Sequence, residues 1–514
     1  MASMTASTFR RWLGRARPPG FFVLWTLLFA LAYAQSPLYT SNQNQYFLHG
    51  LARAGFGLLR DDWLATTLDP TPVFSLLVEG TVRLLGPWAF YLEYALLMGV
   101  YLFALAEIVS ACTPVDRTPA GRVWLMAGLV ALHSAALRFA LARGLGPDWE
   151  FVLEGGVAGQ RLLGQVLQPS SFGVGLVLAV ALFLRGRSRW AAAAAAAVAT
   201  LHPTYLASAG LLVGAFLVIE ARSPGGWKRA AGTAAVALVA VAPITIYSAW
   251  AFVPSGADVY AIASDILIRL RIPHHAIPAK WLDLTVAAQA FVVLLALVRV
   301  RRTPLFTILA WMAGAAVALT AVQIATGSAA LALLFPWRVS TILVPIGSAV
   351  LVATVAQWVG VHIPARWRIG AAVAGLILLG ALGGFRFRVE QRQQQDDPAA
   401  PMMEFAAAHL TEGQVYVIPP KLQDFRLRTG APIVVDSKAI PYRDVEVIEW
   451  FDRLRLARLI YRDRPSAAGC GHFDEAALDY GATHAVIELE FFPLVCPQFV
   501  PVYNDGAYAI FALH

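Results

Sequence analysis

Apolar stretches and short polar loops alternate along about the first 385 residues, and near Pro401 the pattern gives way to shorter, mixed segments. Eleven apolar stretches stand out, over 21–37, 88–111, 122–141, 167–184, 190–203, 204–220, 231–252, 281–298, 304–325, 340–359 and 369–385. Most approach the roughly 20 residues that carry a helix across a hydrocarbon core. The fifth is the weakest: "WAAAAAAAVATLHP" is short and Ala-rich, and His202-Pro203 closes it. Small residues of this kind let helices pack closely. The expected fold is mainly α, a polytopic transmembrane helical bundle of about eleven spans over residues 1–385.

Charge placement orients that bundle. The N-terminus carries Arg10, Arg11, Arg15 and Arg17. Basic clusters then follow every second span: Arg117/Arg122, Arg185/Arg187/Arg189, Arg222/Lys228/Arg229, Arg299/Arg301/Arg302 and Arg366/Arg368. Loops rich in Lys and Arg stay in the cytoplasm, so the N-terminus is expected inside and the chain beyond 385 outside. The start also has the form of a signal peptide, Arg-rich and then "FFVLWTLLFALAYA" before Gln35. Cleavage there would leave the sidedness of everything downstream unchanged.

Composition agrees with a membrane protein. The chain is 58% hydrophobic and 14% charged, where soluble proteins carry about 25% charged residues. Its net charge of +8 does not point to nucleic acid, because Lys and Arg are spread over short loops.

The outward loops hold the remaining polar groups. Loop 36–87 is too long for a plain connection. Phe47, Leu51, Ala54 and Leu58 share one helical face there, although Gly50, Gly55 and Gly57 weaken the helix. Thr71-Pro72 opens a second surface helix. Between them lies "RDDWLATTLDP", with Asp61, Asp62 and Asp69, and Trp63 suits a membrane interface. The loop from Arg143 to Gln165 is Gly-rich and carries Asp148, Glu150, Glu154 and Arg161. Such irregular backbone is tolerated at depth where it lines a cavity, so a re-entrant course is expected. A third loop, 253–280, contains "RLRIPHHAIP" with His274 and His275. Arg338 stands in "FPWRVS" at the outer start of the tenth span.

The polar tract "RFRVEQRQQQDD" reads as a linker, 386–400, leading to a small external α/β domain over 401–514. "GQVYVIPP", "APIVVDS", "THAVIEL", "FVPVYND" and "AYAIFAL" read as strands. "RDVEVIEWFDRLRLARLIY" has the helical period. Cys470 and Cys496 both fall in this domain, and two thiols outside the cytoplasm favour a disulfide.

No GxxxxGK[ST], no GxGxxG between strand and helix, no GxSxG and no Cys/His set with metal spacing occurs. A cytoplasmic nucleotide is therefore a poor source of energy or sugar for this chain. The outer polar set remains: Asp61, Asp62, Asp69, Glu154, Arg161, His202, His274, His275 and Arg338. In layout the chain resembles the polytopic glycosyltransferases of the GT-C fold that use lipid-linked sugars. That group includes protein O-mannosyltransferases, oligosaccharyltransferases and aminoarabinose transferases. The resemblance lies in the span number, the external C-terminal domain, and a long first loop with an acidic pair, Asp61-Asp62, in "SNQNQYFLHGLARAGFGLLRDDWLATTLDPTPVFS".

It implies a multi-pass protein of the bacterial cytoplasmic membrane that moves a sugar from a polyprenyl-phosphate donor to an unidentified acceptor. Asp62 is then the expected general base and Asp61 the second, since the acceptor hydroxyl must lose a proton. Trp63 would exclude water from one side. Arg338 is the expected phosphate ligand, because guanidinium pairs bidentately, with His274, His275, His202, Arg161 and Glu154 as further substrate-binding candidates. The acidic pair leaves open a divalent cation, Mg or Mn. Each residue also has a structural alternative: a solvated turn for Asp61-Asp62, a turn or cap for Asp69, an interfacial anchor for Arg338, a helix end for His202, and a Glu154–Arg161 pair. Other classes remain: a polysaccharide polymerase or ligase, a scaffold, and a transporter. The last would want buried charges such as Glu93, Glu107 and Arg138 near or within spans.

Overall fold

The computed structural model describes residues 19–115, 118–462, 467–490, 496–497 and 499–513. The basic residues Arg10, Arg11, Arg15, Arg17 and Arg117 lie outside this set. Every expected apolar stretch contains a helix, from Pro19–Tyr33 through Ala89–Cys112 to Ala365–Gln395. Among the described residues six helices are long and apolar enough to cross a membrane, or seven with the pair Pro119–Leu132 and Ala135–Leu145, bent by 49°. Three more apolar helices are shorter, so length and composition do not give eleven spans. The fourth stretch shows why: its helix begins only at Val174, after a 3-10 turn over Pro169–Gly173 and extended backbone. Charges near the spans are partnered. Glu93 accepts from Thr81 at 2.6 Å, Glu107 pairs with Arg185, and Arg138 pairs with Glu154 at 3.3 Å.

The tract expected as a linker is helix. Ala365–Gln395 continues through it, because Arg, Glu and Gln are good helix formers and no Gly or Pro interrupts after Gly384. Its polar side chains bind the first loop and the helix after it: Glu390 accepts from Ser36, Gln394 donates to the Leu38 carbonyl, and Gln391 donates to Tyr91.

The C-terminal region is a four-stranded sheet, β1 (Tyr416–Val417), β2 (His484–Glu488), β3 (Phe499–Asn504) and β4 (Tyr508–Leu513), in the order β1-β2-β4-β3. β1 runs parallel to β2, and the other pairs are antiparallel. Side chains alternate across it. Ala485, Ile487, Ala509 and Phe511 join Trp450, Ile460 and Phe473 of the helices Asp444–Arg462 and Ala467–Tyr480. Val486 and Ile510 join Met402, Met403 and Phe425 on the opposite face. "APIVVDS" forms no strand. It contributes one bridge, Tyr416 to Ile433, and then turns away to meet the membrane domain. Cys470 and Cys496 are disulfide-bonded with Cα atoms 5.6 Å apart.

The first loop is the seat of this domain. Gly57 and Gly430 both have positive φ, 54° and 73°, and touch backbone to backbone, with the Leu58 amide donating to the Gly430 carbonyl at 2.8 Å. A Cβ on Gly57 would lie 2.5 Å from that oxygen. Beside this contact Arg426 bridges two buried carboxylates, with Nε 2.8 Å from Asp62 and Nη1 2.8 Å from Asp436. Removing one member of a buried ion pair typically costs about 3–5 kcal/mol. Arg426→Met strands two carboxylates and is expected to lose about that much stability in detergent-solubilised protein, read as a lowered thermal midpoint. Asp62→Asn/Arg426→Met/Asp436→Asn should recover much of it, because no buried charge is then left unpaired.

Candidate functional site

The Gly-rich segment 146–168 is irregular, a chain of 3-10 turns lodged against helices Leu284–Val300 and Ser340–His362. The Val157 amide donates to Ser340 Oγ at 2.8 Å, and Gln289 donates to the Gly155 and Gly156 carbonyls at 3.3 and 3.4 Å. Two chambers open on this segment and share Gly159, Gln160 and Arg161 as a wall.

The first chamber, about 140 Å³, is lined by Arg161, His275 and Arg338, by the amides of Asn42, Gln160, Gln165 and Gln168, and by Ser41 and Ser170. No carboxylate lines it among the described residues. The second, about 320 Å³, adds Asp148, Glu150, His274, Lys280, Trp281 and Asp283. Ser41, Ala158 and Phe335 adopt left-handed backbone, with φ of 53°, 61° and 51°. Such non-glycine conformations cost about 1–3 kcal/mol each and gather at ligand sites.

Among the described residues Arg161 and Arg338 form no ion pair. Arg161 lies over the Phe151 ring at 3.8 Å, and Arg338 lies over Tyr205 at 4.7 Å. Arg338 Nη2 is 3.4 Å from His202 Nε2, while Arg338 Nε and His202 Nδ1 are buried without a hydrogen bond. Arg271 donates to the Lys438 carbonyl at 2.7 Å, and its Nε is also buried without a partner. Buried polar groups without partners are few in folded proteins and each calls for an explanation. Burial, then the neighbouring His274 and Arg338, push His275 down to about 3, so its imidazole is neutral. Burial, then Arg271 and Lys438, also lower His274.

Several expected residues belong elsewhere. Asp62 is fully buried, and its oxygens accept from Leu64 N at 2.9 Å, Ile433 N at 3.0 Å and Arg426. It borders neither chamber, and a fully buried carboxylate engaged in this way is out of reach of an acceptor hydroxyl. Asp61 is half exposed, 3.6 Å from Arg60, and also outside both chambers. Trp63 stacks under Arg453 of the C-terminal domain at 4.2 Å and so does not cover a base. Asp69 caps its turn, accepting from the Thr71 amide and from Arg53, each at 2.9 Å. Glu154 is buried against Arg138, not Arg161, and lines neither chamber; burial pushes it up to about 7, with Arg138 opposing. His202 meets the site only through Arg338.

Asp61 and Asp62 point apart, and no group of three His, Cys, Asp or Glu converges among the described residues. This donor set does not fit a divalent cation. Sequence reasoning overlooked Asn42, Gln160, Gln165 and Gln168, which line the first chamber and belong to no motif.

A family described as a domain of unknown function (DUF6798) matches residues 398–457. No curated protein matches the chain. Among solved structures, ArnT from Cupriavidus metallidurans bound to undecaprenyl phosphate is similar at 15% identity and TM-score 0.44, over 96% of this chain and 98% of that one. Its apo state gives 14% identity and TM-score 0.41 over the same shares, 96% and 98%. Overlaps this loose carry no argument about chemistry here.

Lys438 offers a direct check on the electrostatics. Burial, then Arg271, lower it to about 8, Asp436 opposes, and Arg161 lowers it further. Folding therefore expels its proton between about pH 8 and the ordinary lysine value near 10.4. The sign follows: its contribution to stability is present above the upper limit and is lost as pH falls through 8. The thermal midpoint of the wild type, minus that of Lys438→Met, is expected to rise between pH 7.5 and pH 10. A flat difference would mean that Lys438 feels no cationic neighbours.

Proposed function

We propose that the chain is a membrane transferase that holds a polyprenyl-phosphate-linked sugar in the first chamber and passes the sugar to an acceptor at the outer membrane face. The observation that carries this reading is the chamber itself. Arg161 and Arg338 meet there, Arg338 Nε is buried without a hydrogen bond, and no carboxylate lines the chamber among the described residues, beside helices apolar enough to span a membrane. A phosphate supplies the missing negative charge and acceptor oxygens, and Arg meets it with two parallel hydrogen bonds. The neutral His275 and the surrounding amides add N–H donors without adding charge. During transfer, the same donors would stabilise the charge that builds on the departing phosphate.

The proton of the acceptor is not assigned to Asp62, for the reasons given above. Carboxylates stand instead in the second chamber, across the wall that carries Arg161. The carboxylate-free lining of the first chamber also favours a second reading, a receptor that binds the lipid phosphate without transfer. Formation of glycosylated product by the purified protein separates the two.

The binding test uses farnesyl phosphate in detergent, followed by the fluorescence of Trp281 and Trp337, whose rings meet edge to face with centroids 5.8 Å apart near the site. Arg338→Gln is expected to raise Kd at least about tenfold, as the loss of charge-assisted hydrogen bonds requires. Arg338→Lys should lie between, since it keeps the charge and loses the fork. Unchanged affinity in both variants would assign Arg338 to anchoring. Farnesol, which lacks the phosphate, should bind poorly to the wild type.

Orientation is part of the same proposal. Alkaline phosphatase joined to the C-terminus is expected to be active, and green fluorescent protein at the same position dark, if the sheet domain lies outside. The reverse result would put both chambers on the wrong side for an external acceptor.

A further inference from the structure

Loop 253–280 joins helices Trp227–Ala251 and Leu284–Val300 and brings polar groups to both chambers. His275 lines the first, and His274 and Lys280 line the second. A connection of this length needs support along its course if it is to hold side chains in place. It is built as a helix over Ala257–Asp265, a π-helix over Ile266–Arg271 and a turn opened by Pro273. Turns of the π type are rare and recur at functional sites.

The support comes from the C-terminal domain. Ser255 donates twice to the Asp444 carboxylate, from its amide at 2.7 Å and from its hydroxyl at 2.8 Å. Asp444 opens the helix Asp444–Arg462, and Ala257–Asp265 packs against that helix. Ile266 and Leu267 pack on the apolar core that holds Trp450 and Leu454. Arg271 donates to the Lys438 carbonyl at 2.7 Å. Among the described residues, the side-chain hydrogen bonds between 255–271 and other segments all go to this domain. The membrane domain adds one past the π-helix, where Gln323 donates to the Ala276 carbonyl at 2.8 Å. Asp444 thus holds the start of the loop, and Arg271 holds it three residues before His274. Neither lines a chamber, so any effect they have on a ligand passes through the loop.

We infer that Asp444 and Arg271 are positioning residues of the two-chamber site: they fasten loop 253–280 to the C-terminal domain and so fix His274 and His275 for a phosphate-bearing ligand. This rests on the proposed reading of the first chamber as a phosphate site. Linkage makes the coupling reciprocal. A ligand at the chambers strengthens the docking of the loop, and a loosened loop weakens the ligand.

The test pairs Kd for farnesyl phosphate with amide hydrogen exchange, both on the full-length protein in detergent. Asp444→Ala and Arg271→Met should each bind about fivefold to tenfold more weakly, the lower range of coupling between sites. On charge alone, loss of the Asp444 carboxylate would favour an anion, so weaker binding in Asp444→Ala reports the loop. Amides of 257–271 should exchange at least about tenfold faster in both variants while β2 and β4 keep their protection, the mark of local opening. Asp444→Asn keeps an acceptor for Ser255, and Arg271→Lys keeps a donor for the carbonyl, so each should lie between. Ser255→Ala/Asp444→Ala should bind no more weakly than Asp444→Ala, because both changes break one contact. Saturating farnesyl phosphate should slow exchange over 257–271 in the wild type.

Arg338→Gln is the control. Unchanged affinity in Asp444→Ala and Arg271→Met, with Arg338→Gln impaired, would overturn the positioning role and leave the phosphate site standing. Unchanged affinity in all three would remove the phosphate reading and this inference with it. Faster exchange in β2 and β4 as well would assign the weaker binding to undocking of the whole domain, and that too would overturn the role of the loop.

Discussion

The pairing of Asp62 and Asp436 through Arg426 is the constraint on which the remaining architecture depends. Two carboxylates and one guanidinium are taken out of water together, with side chains no more than 2% exposed. Their desolvation is tolerable only because amides complete the coordination, Leu64 and Ile433 for Asp62, and Lys438 and Ala439 for Asp436. Such a group adds little net stability over an apolar substitute, but it tolerates few alternative geometries. It therefore fixes how the sheet domain sits on the first loop. With Gly57 against Gly430 as the hinge point, that seating brings the segment after Asp436 to Gln45, Tyr46 and Arg271.

This interaction also explains what the sequence could and could not convey. Helices and most strands follow local periodicity, so the apolar stretches and "THAVIEL" or "AYAIFAL" announce themselves. Where tertiary contact decides, local pattern misleads. "APIVVDS" has the composition of a strand, yet it meets β1 at a single bridge, and its Ile433 amide serves Asp62 while the Ile440 amide just beyond it serves Gln45. The tract after Phe385 looked like a linker because its residues are polar. Those residues are polar because they hydrogen-bond the first loop and the helix after it from the side of a continuous helix.

The site follows the same rule. Arg161, His275 and Arg338 stood out in the sequence as polar groups of the outer loops, and the structure places them around one chamber. Asp62 was misread because its partner stands 364 residues away. A carboxylate pair in a loop looks the same in sequence whether it faces a substrate or a buried arginine. Asn42, Gln160, Gln165 and Gln168 were invisible for the mirror-image reason: a loop amide gains meaning only from the chamber it lines.

The two chambers divide the polar chemistry between them. Cations and amides gather in one, and the carboxylates Asp148, Glu150 and Asp283 stay with Trp281 and Lys280 in the other. A carboxylate inside the first chamber would neutralise Arg338 and compete with any anion for it, so its exclusion keeps the guanidinium available. The cost appears as unpartnered buried donors at Arg271 and Arg338 and as left-handed backbone at Ser41, Ala158 and Phe335. Both forms of strain surround the shared wall of Gly159, Gln160 and Arg161. Binding an anion there would relieve the electrostatic part without moving the backbone, since the segments that carry the cations are already held by Ser340, Gln289, Gln45 and the buried triad. A chamber held in this way before any anion enters would put binding free energy into contacts with that anion and not into ordering the protein.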